Sequence, residues 1–292
     1  MPLDGARFVD ADGVATRYFV HGDGPPLVLL HGGNTGSVTA AHCAEDFDLN
    51  VAGLARHYRV FAVDRLGQGL TGNPRGDADY TIAASVRHTH ATLRALGLSQ
   101  VHLVGHSRGG YVAAALTAAH PELVASVTVI DSNTLAPGIG RNDIVFHDLD
   151  GPRLTRESQR RVLEKFCCDP ACVTDGWVDA LTAVAARDEY KQAVDRMVGA
   201  GLLHSQFLPQ LEADKEMLLA RIRDIGLQRP TLLAWGYDDP TASMRLGIEL
   251  YEILAAREHR SRFHVFNRAG HFCYREHPAR FNAVVHGFIQ HA

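Results

Sequence analysis

Val101-His102-Leu103-Val104-Gly105-His106-Ser107-Arg108-Gly109-Gly110 is the stretch on which the reading of this chain turns. An apolar run ends in Gly-x-Ser-x-Gly, and an alanine-rich helical pattern over residues 111–120 follows until Pro121 stops it. The pattern predicts a serine held on a sharp strand-to-helix turn, with Gly105 and Gly109 supplying no Cβ where the chain must pass closely. Such a turn lifts the Ser107 hydroxyl above the sheet edge and aims the first backbone N–H groups of the next helix at whatever the serine attacks. A bare Gly-x-Ser-x-Gly also fits a glycine-rich loop with an idle serine, but the strand before it and the helix after it weigh against that.

On the N-terminal side, residues 7–20 read as two short strands around the turn Asp10-Ala11-Asp12-Gly13. Leu27-Val28-Leu29-Leu30 is a continuous apolar run of the kind buried on both faces. It ends in His31-Gly32-Gly33-Asn34, where glycines after a central strand imply a close backbone approach to a ligand or simply a tight turn. After a polar stretch over residues 35–48, residues 58–63 read as another buried strand, and helical spacing over 82–96 closes on Gly97. Residues 124–130 continue the alternation. Buried strands alternating with helices predict an α/β, doubly wound, mostly parallel sheet, with its site at the carboxyl ends of the strands.

The rhythm changes in residues 135–226, where helical patterns over 156–166, 178–186, 189–198 and 214–225 replace buried strands. The expectation is a core of residues 1–134 and 227–292, carrying residues 135–226 as a helical cap over the strand ends. Strand rhythm resumes at Thr231-Leu232-Leu233-Ala234-Trp235-Gly236 and again over 262–266, with a helix over 244–255 between them.

A serine hydroxyl is a weak nucleophile and needs a base, which needs an orienting acid. Asp238-Asp239 follows one of these strands and Ala269-Gly270-His271 follows the last. Gly105-x-Ser107-x-Gly109, Trp235-Gly-Tyr-Asp-Asp239 and Ala269-Gly-His271, in that chain order, resemble the α/β-hydrolase fold family over nearly the whole chain. The resemblance implies a nucleophile elbow with Ser107 as nucleophile, His271 as general base, Asp239 as acid, and backbone N–H groups of Gly33 and Arg108 as the oxyanion hole. Asp238 and, more distantly, Asp131 are the alternative acids. His31, Asn34, His106 and Phe272 are candidate substrate contacts, with His31 and His106 also readable as structural supports. Of the 17 histidines most must be bystanders, and His102, His120 and His286 read as surface groups.

Within the family, His31-Gly32-Gly33 and the general layout are similar to the branch of meta-cleavage product hydrolases, which split a vinylogous diketone carbon–carbon bond. That branch usually carries Asn before the nucleophile and Trp after the histidine, where this chain has His106 and Phe272. Its cap arginine, which holds the substrate carboxylate, aligns roughly with Leu181; Arg153, Arg156 and Arg187 are possible replacements. With that clamp missing, the first expectation is a cofactor-free serine esterase or lactonase working through an acyl-enzyme. The second is carbon–carbon hydrolysis of an aromatic ring-fission product, and the third a ligand receptor on a hydrolase scaffold. Amide or carbamate cleavage and perhydrolysis use the same parts. Trp177, Phe166, Phe207 and Tyr190 suggest an apolar or aromatic pocket, although aromatic residues at helical spacing more often form core.

At 292 residues, with 46% hydrophobic and 21% charged residues, the chain has the composition of an ordinary globular protein. A net charge of −4 offers no basic surface for nucleic acid or an acidic membrane. No apolar run approaches the roughly eighteen residues that span a bilayer, and the first residues lack a secretory pattern. Five cysteines without regular spacing, Cys43, Cys167, Cys168, Cys172 and Cys273, argue against a disulfide framework and fit a cytoplasmic protein. Cys167-Cys168 and Cys172 lack a histidine at zinc spacing, so neither a metal nor a cofactor is expected. The expected partner is a small molecule, and a homodimer would be unsurprising.

Overall fold

A computed structural model describes residues 3–146 and 151–292. Residues 1–2 and 147–150, which fall in the expected core and cap segments, lie outside the described residues. Among the described residues eight strands form one sheet: β1 (Arg7–Ala11), β2 (Val14–His21), β3 (Pro26–Leu30), β4 (Arg59–Val63), β5 (Val101–His106), β6 (Val124–Ile130), β7 (Thr231–Gly236) and β8 (Arg262–Phe266). Their order is β1-β2-β4-β3-β5-β6-β7-β8. The pairs β1–β2 and β2–β4 are antiparallel, and every later pair is parallel. The sheet is therefore the doubly wound, mostly parallel one that the strand rhythm implies.

Period-2 alternation explains why the central strands are apolar throughout. In β3, Leu27 and Leu29 enter one hydrophobic cluster while Val28 and Leu30 enter the other, across the sheet. The first cluster is covered by α1 (Asp48–Leu54), α10 (Cys273–Glu276) and α11 (Pro278–Ile289). The second lies beneath α2 (Ile82–Ala95), α3 (Arg108–Ala119) and α9 (Met244–Ala255). After β3 the chain moves to β4 on one side, whereas after β5 it moves to β6 on the other. The carboxyl ends of β3 and β5 thus flank a crevice at a topological switch point, where open α/β sheets bind ligands.

Between β6 and β7 come α4 (Asn142–Phe146), α5 (Arg156–Phe166), α6 (Asp175–Ala185), α7 (Asp188–Val194) and α8 (Leu208–Ile225). Leu181 and Trp177 of α6 are fully buried with Val162 and Leu163 of α5. Helix α8 starts six residues before its sequence pattern does, continuing directly from a π turn over Leu203–Phe207 with Pro209 as its second residue. Its far end, at Leu218, Leu219 and Ile222, joins the cluster under α3. The pattern over 189–198 becomes α7 followed by a wider π turn, Asp195–Gly199. No helix among the described residues is long and apolar enough to cross a membrane.

Candidate active site

Strand β5 runs two residues past its apolar pattern, and α3 begins directly after Ser107. Ser107 itself has φ +53°, a left-handed conformation that non-glycine residues adopt only where the surroundings enforce it. Its N–H donates to the Ile130 carbonyl at 2.8 Å, and its own carbonyl accepts from Ser132 Oγ at 2.6 Å. A Cβ on Gly105 would strike the Gly109 carbonyl, and one on Gly109 would strike the carbonyls of Leu30 and His31. The two glycines therefore let α3 lie against the ends of β3 and β5, and that contact holds the serine in its strained turn.

His271 follows β8 and is fixed from both ends. Its N–H donates to the Phe166 carbonyl at 2.8 Å, and its Nδ1–H donates to Asp239 Oδ2 at 2.6 Å. Asp239 Oδ1 accepts from Thr241 N (2.7 Å), Thr241 Oγ1 (2.9 Å) and Ala242 N (2.9 Å), so both carboxylate oxygens are engaged and the rotamer is locked. Burial raises the pKa of this carboxyl, but the charge and hydrogen bond of His271 and these backbone donors outweigh it and leave it below the ordinary range. The two alternative acids are placed differently. Asp238 is exposed. Asp131 accepts from Gly236 N at 2.7 Å, and burial together with the charge of Asp239 pushes it well above a normal carboxyl.

Ser107 and His271 line one cavity of about 270 Å³ together with Gly33, Asn34, His106, Arg108 and Phe272. No hydrogen bond joins Ser107 Oγ to His271 among the described residues, a looseness common in free sites that tighten on substrate. From the inserted helices and turns, Val162, Phe166, Val198, Leu203 and Leu208 close the cavity's apolar side. Of the four aromatic residues marked as pocket candidates, Phe166 alone lines it; Trp177, Tyr190 and Phe207 are buried in packing.

The loop after β3 is shaped by a residue that sequence reasoning passed over. The buried Arg65 guanidinium donates from Nη1 to the carbonyls of His31, Gly32 and Gly33 at 3.0 to 3.1 Å. Three successive carbonyls are drawn to one cation, and Gly33 takes φ +73° to allow it. His31 is a correction to the candidate substrate contacts. It is fully buried, does not line the cavity, donates from Nδ1 to the Gly32 carbonyl and accepts at Nε2 from Arg65 N. Burial lowers its pKa to about 3, so it is a neutral support of the loop. His106 does line the cavity, but its Nε2–H is committed to the His271 carbonyl at 2.8 Å, and burial keeps it neutral. Asn34 turns its Oδ1 to Arg108 Nη1 at 3.0 Å. Phe272 packs its ring against Trp177, centroids 5.1 Å apart.

Two further groups in this cavity carry chemistry. Arg108, besides its backbone N–H, presents a guanidinium that has no carboxylate partner among the described residues and whose Nε is buried without a hydrogen bond. Burial depresses it to about 10. His42 also lines the cavity, with Nδ1 bonded to the fully buried Asp46 carboxylate at 2.8 Å.

A family profile described as the alpha/beta hydrolase fold matches residues 25–278. The chain is 28% identical over 289 residues to 2-hydroxy-6-oxo-6-(2'-aminophenyl)hexa-2,4-dienoic acid hydrolase of Metapseudomonas resinovorans, covering 97% of this chain and 90% of that one. It is 29% identical over 287 residues to 2-hydroxymuconate semialdehyde hydrolase of Pseudomonas sp. (strain CF600), covering 98% and 94%. Among solved structures, a serine hydrolase involved in carbazole degradation superposes with TM-score 0.77 at 26% identity over 99% of both chains. A meta-cleavage product hydrolase variant does so with TM-score 0.78 at 25% identity over 98% of both. With the profile spanning most of the sheet and relatives matching end to end, the chain belongs to the α/β-hydrolase fold family, near its meta-cleavage product hydrolase branch, and is a hydrolase.

Proposed function

We propose that the protein hydrolyses a carbon–carbon bond in a ring-fission product that carries a free carboxylate. The relatives favour this reading, placed second on sequence, over the ester or lactone reading placed first. The observation that carries it is the unpaired Arg108 guanidinium in the cavity, one residue from the serine. A partly buried cation without a counter-ion carries a desolvation cost, and an incoming carboxylate offsets that cost while gaining a charge-assisted pair. A neutral ester offers no such gain. Leu181 is packed in the core and Arg153, Arg156 and Arg187 do not line the cavity, so the charge in this site comes from the helix after the nucleophile and not from the cap.

In this reading Asp239 holds His271 with its proton on Nδ1, leaving Nε2 to accept the Ser107 proton. Ser107 Oγ bonds to the ketone carbon next to the scissile bond, and the N–H groups of Gly33 and Arg108 receive the developing oxyanion. As the tetrahedral carbon collapses, the carbon–carbon bond breaks, its electron pair delocalises toward the 2-oxo group, and His271 returns its proton to that fragment. Water then releases the acid from Ser107 by the same base. The inserted segments that carry Val162, Phe166, Val198, Leu203 and Leu208 act as the cap, closing the apolar side and excluding water.

The test compares wild type and Ser107→Ala on a phenyl-substituted ring-fission dienoate and on p-nitrophenyl esters of graded chain length. The expected result is a dienoate kcat/KM at least about 100-fold above the best ester, and a loss of about 10³-fold or more in the variant. Ester turnover that depends on Ser107, with the dienoate untouched, would refute the proposal.

A further inference from the structure

The cavity holds a second imidazole built like the first. His42 comes from the loop after β3, and its Nδ1 is tied to Asp46 Oδ2 at 2.8 Å, as His271 Nδ1 is tied to Asp239 at 2.6 Å. Both carboxylates have fully buried side chains. Asp46 is fixed on its other oxygen by Trp177 Nε1 at 2.8 Å, so an inserted helix locks the pair in place. Burial raises the Asp46 pKa, but the charge and hydrogen bond of His42 and the indole N–H outweigh it, and the carboxyl stays below its ordinary range. His42 Nε2 has no hydrogen-bond partner among the described residues and is not one of the atoms sealed from the cavity. The ring lies so close to Gly33 that a Cβ there would strike its Cδ2. Two histidines with defined tautomers therefore present free Nε2 atoms to one cavity.

Ester cleavage by a serine uses one such base. Hydrolysis of a 2-hydroxy-6-oxo dienoate requires a second proton transfer, because the carbon–carbon bond becomes breakable only after the dienol turns into its diketone. We propose that His42, oriented by Asp46, is the acid–base residue of that tautomerisation, an inference that rests on the carbon–carbon reading above. Nε2 takes the proton from the 2-hydroxyl as its O–H electron pair forms the C2 carbonyl. The C2–C3 double bond moves to C3–C4, and the C4–C5 pair takes the proton back from His42 at C5. One proton leaves oxygen and one arrives on carbon, and Asp46 stabilises the imidazolium that exists between. The second histidine leaves His271 free to serve Ser107.

The experiment follows deuterium entry at C5 by NMR when the dienoate is held in D2O by Ser107→Ala, by Ser107→Ala with His42→Gln, and by Ser107→Ala with His271→Gln. Exchange in the first should fall at least about 100-fold on adding His42→Gln and much less on adding His271→Gln, with dienoate affinity changed less than about threefold. With Ser107 intact, His42→Gln should lower dienoate kcat at least about 30-fold more than it lowers ester kcat, and Asp46→Asn, a second variant should the first not fold, should act in the same direction. Exchange that survives His42→Gln, or equal losses on dienoate and ester, overturns the inference. His42-dependent exchange without cleavage by wild type keeps it and refutes the carbon–carbon function; neither exchange nor cleavage refutes both.

Discussion

Replacing Asp239 by Asn changes one atom and forces a specific error. Oδ1 of Asp239 accepts from three donors, Thr241 N, Thr241 Oγ1 and Ala242 N, so the amide oxygen of the Asp239→Asn side chain must occupy that position. Its NH2 is then left facing His271 Nδ1, which must become an acceptor, and the single imidazole proton moves to Nε2. The base in front of Ser107 is lost while the geometry is kept. A wrong-tautomer defect of this kind costs about 10⁴-fold in kcat, equivalent to roughly 5.5 kcal/mol of transition-state stabilisation. Steady-state kinetics on whichever substrate wild type turns over fastest, with circular dichroism to verify folding, measures it. Asp238→Asn, at an exposed position, and Asp131→Asn, whose buried side chain bonds Gly236 N and not His271, should remain within about threefold of wild type. An Asp239→Asn enzyme retaining more than about a tenth of wild-type kcat, or an Asp131→Asn enzyme losing as much as Asp239→Asn does, would refute this assignment of the acid.

Stability should fall as the pH drops from about 7 to 5. Burial holds His31 at about 3, His88 at about 4 and His106 well below the ordinary 6.5, so the unfolded chain takes up protons in this window and the folded one does not. Each contributes a slope of about 1.4 kcal/mol per pH unit below its unfolded value; urea midpoints that do not move between pH 7 and 5, or a slope unchanged by His88→Gln, would contradict this. Arg108→Met should raise the Tm of the ligand-free protein by about 2–4 °C, as expected if about 1 kcal/mol of desolvation strain is relieved, while abolishing any rise that a small carboxylate ligand gives wild type. A lower Tm with carboxylate stabilisation intact would show that the guanidinium is structural.

The elements that could be read from sequence are those whose signal is local. Gly105 and Gly109 around Ser107, Pro121 after the elbow helix, and Asp239 and His271 at strand ends announce themselves within five or six residues, and α5, α9, β7 and β8 have the bounds their patterns imply. The features that escaped depend on partners far along the chain. Arg65 reaches the His31–Gly33 carbonyls across more than thirty residues, and Asp46 is fixed by an indole 131 positions away. His42-x-x-x-Asp46 did carry a signal, a four-residue spacing between a base and an acid, but in a polar stretch such spacings usually mark a solvated face. His31 is open in sequence to two readings, substrate contact or structural support, and the Arg65 N–H bonded to its Nε2 shows that the ring faces inward as a support.

Arg108 shows why this limit matters for function. In sequence it is one of 29 basic residues and its side chain has no evident role. In the fold it is a cation held beside Asn34 and above the Phe207 ring at 5.7 Å. Arg65 is a second, like charge nearby: burial, and then the charge of Arg108, lower it to about 9. The carboxylates near the cavity, Asp46 and Asp239, are both turned away from it and bonded to histidines. The side facing the substrate is therefore positive, with the compensating negative charge placed behind the imidazoles. On the carbon–carbon reading proposed above, that arrangement puts the charge for a substrate carboxylate on the core of the fold and not on the inserted helices.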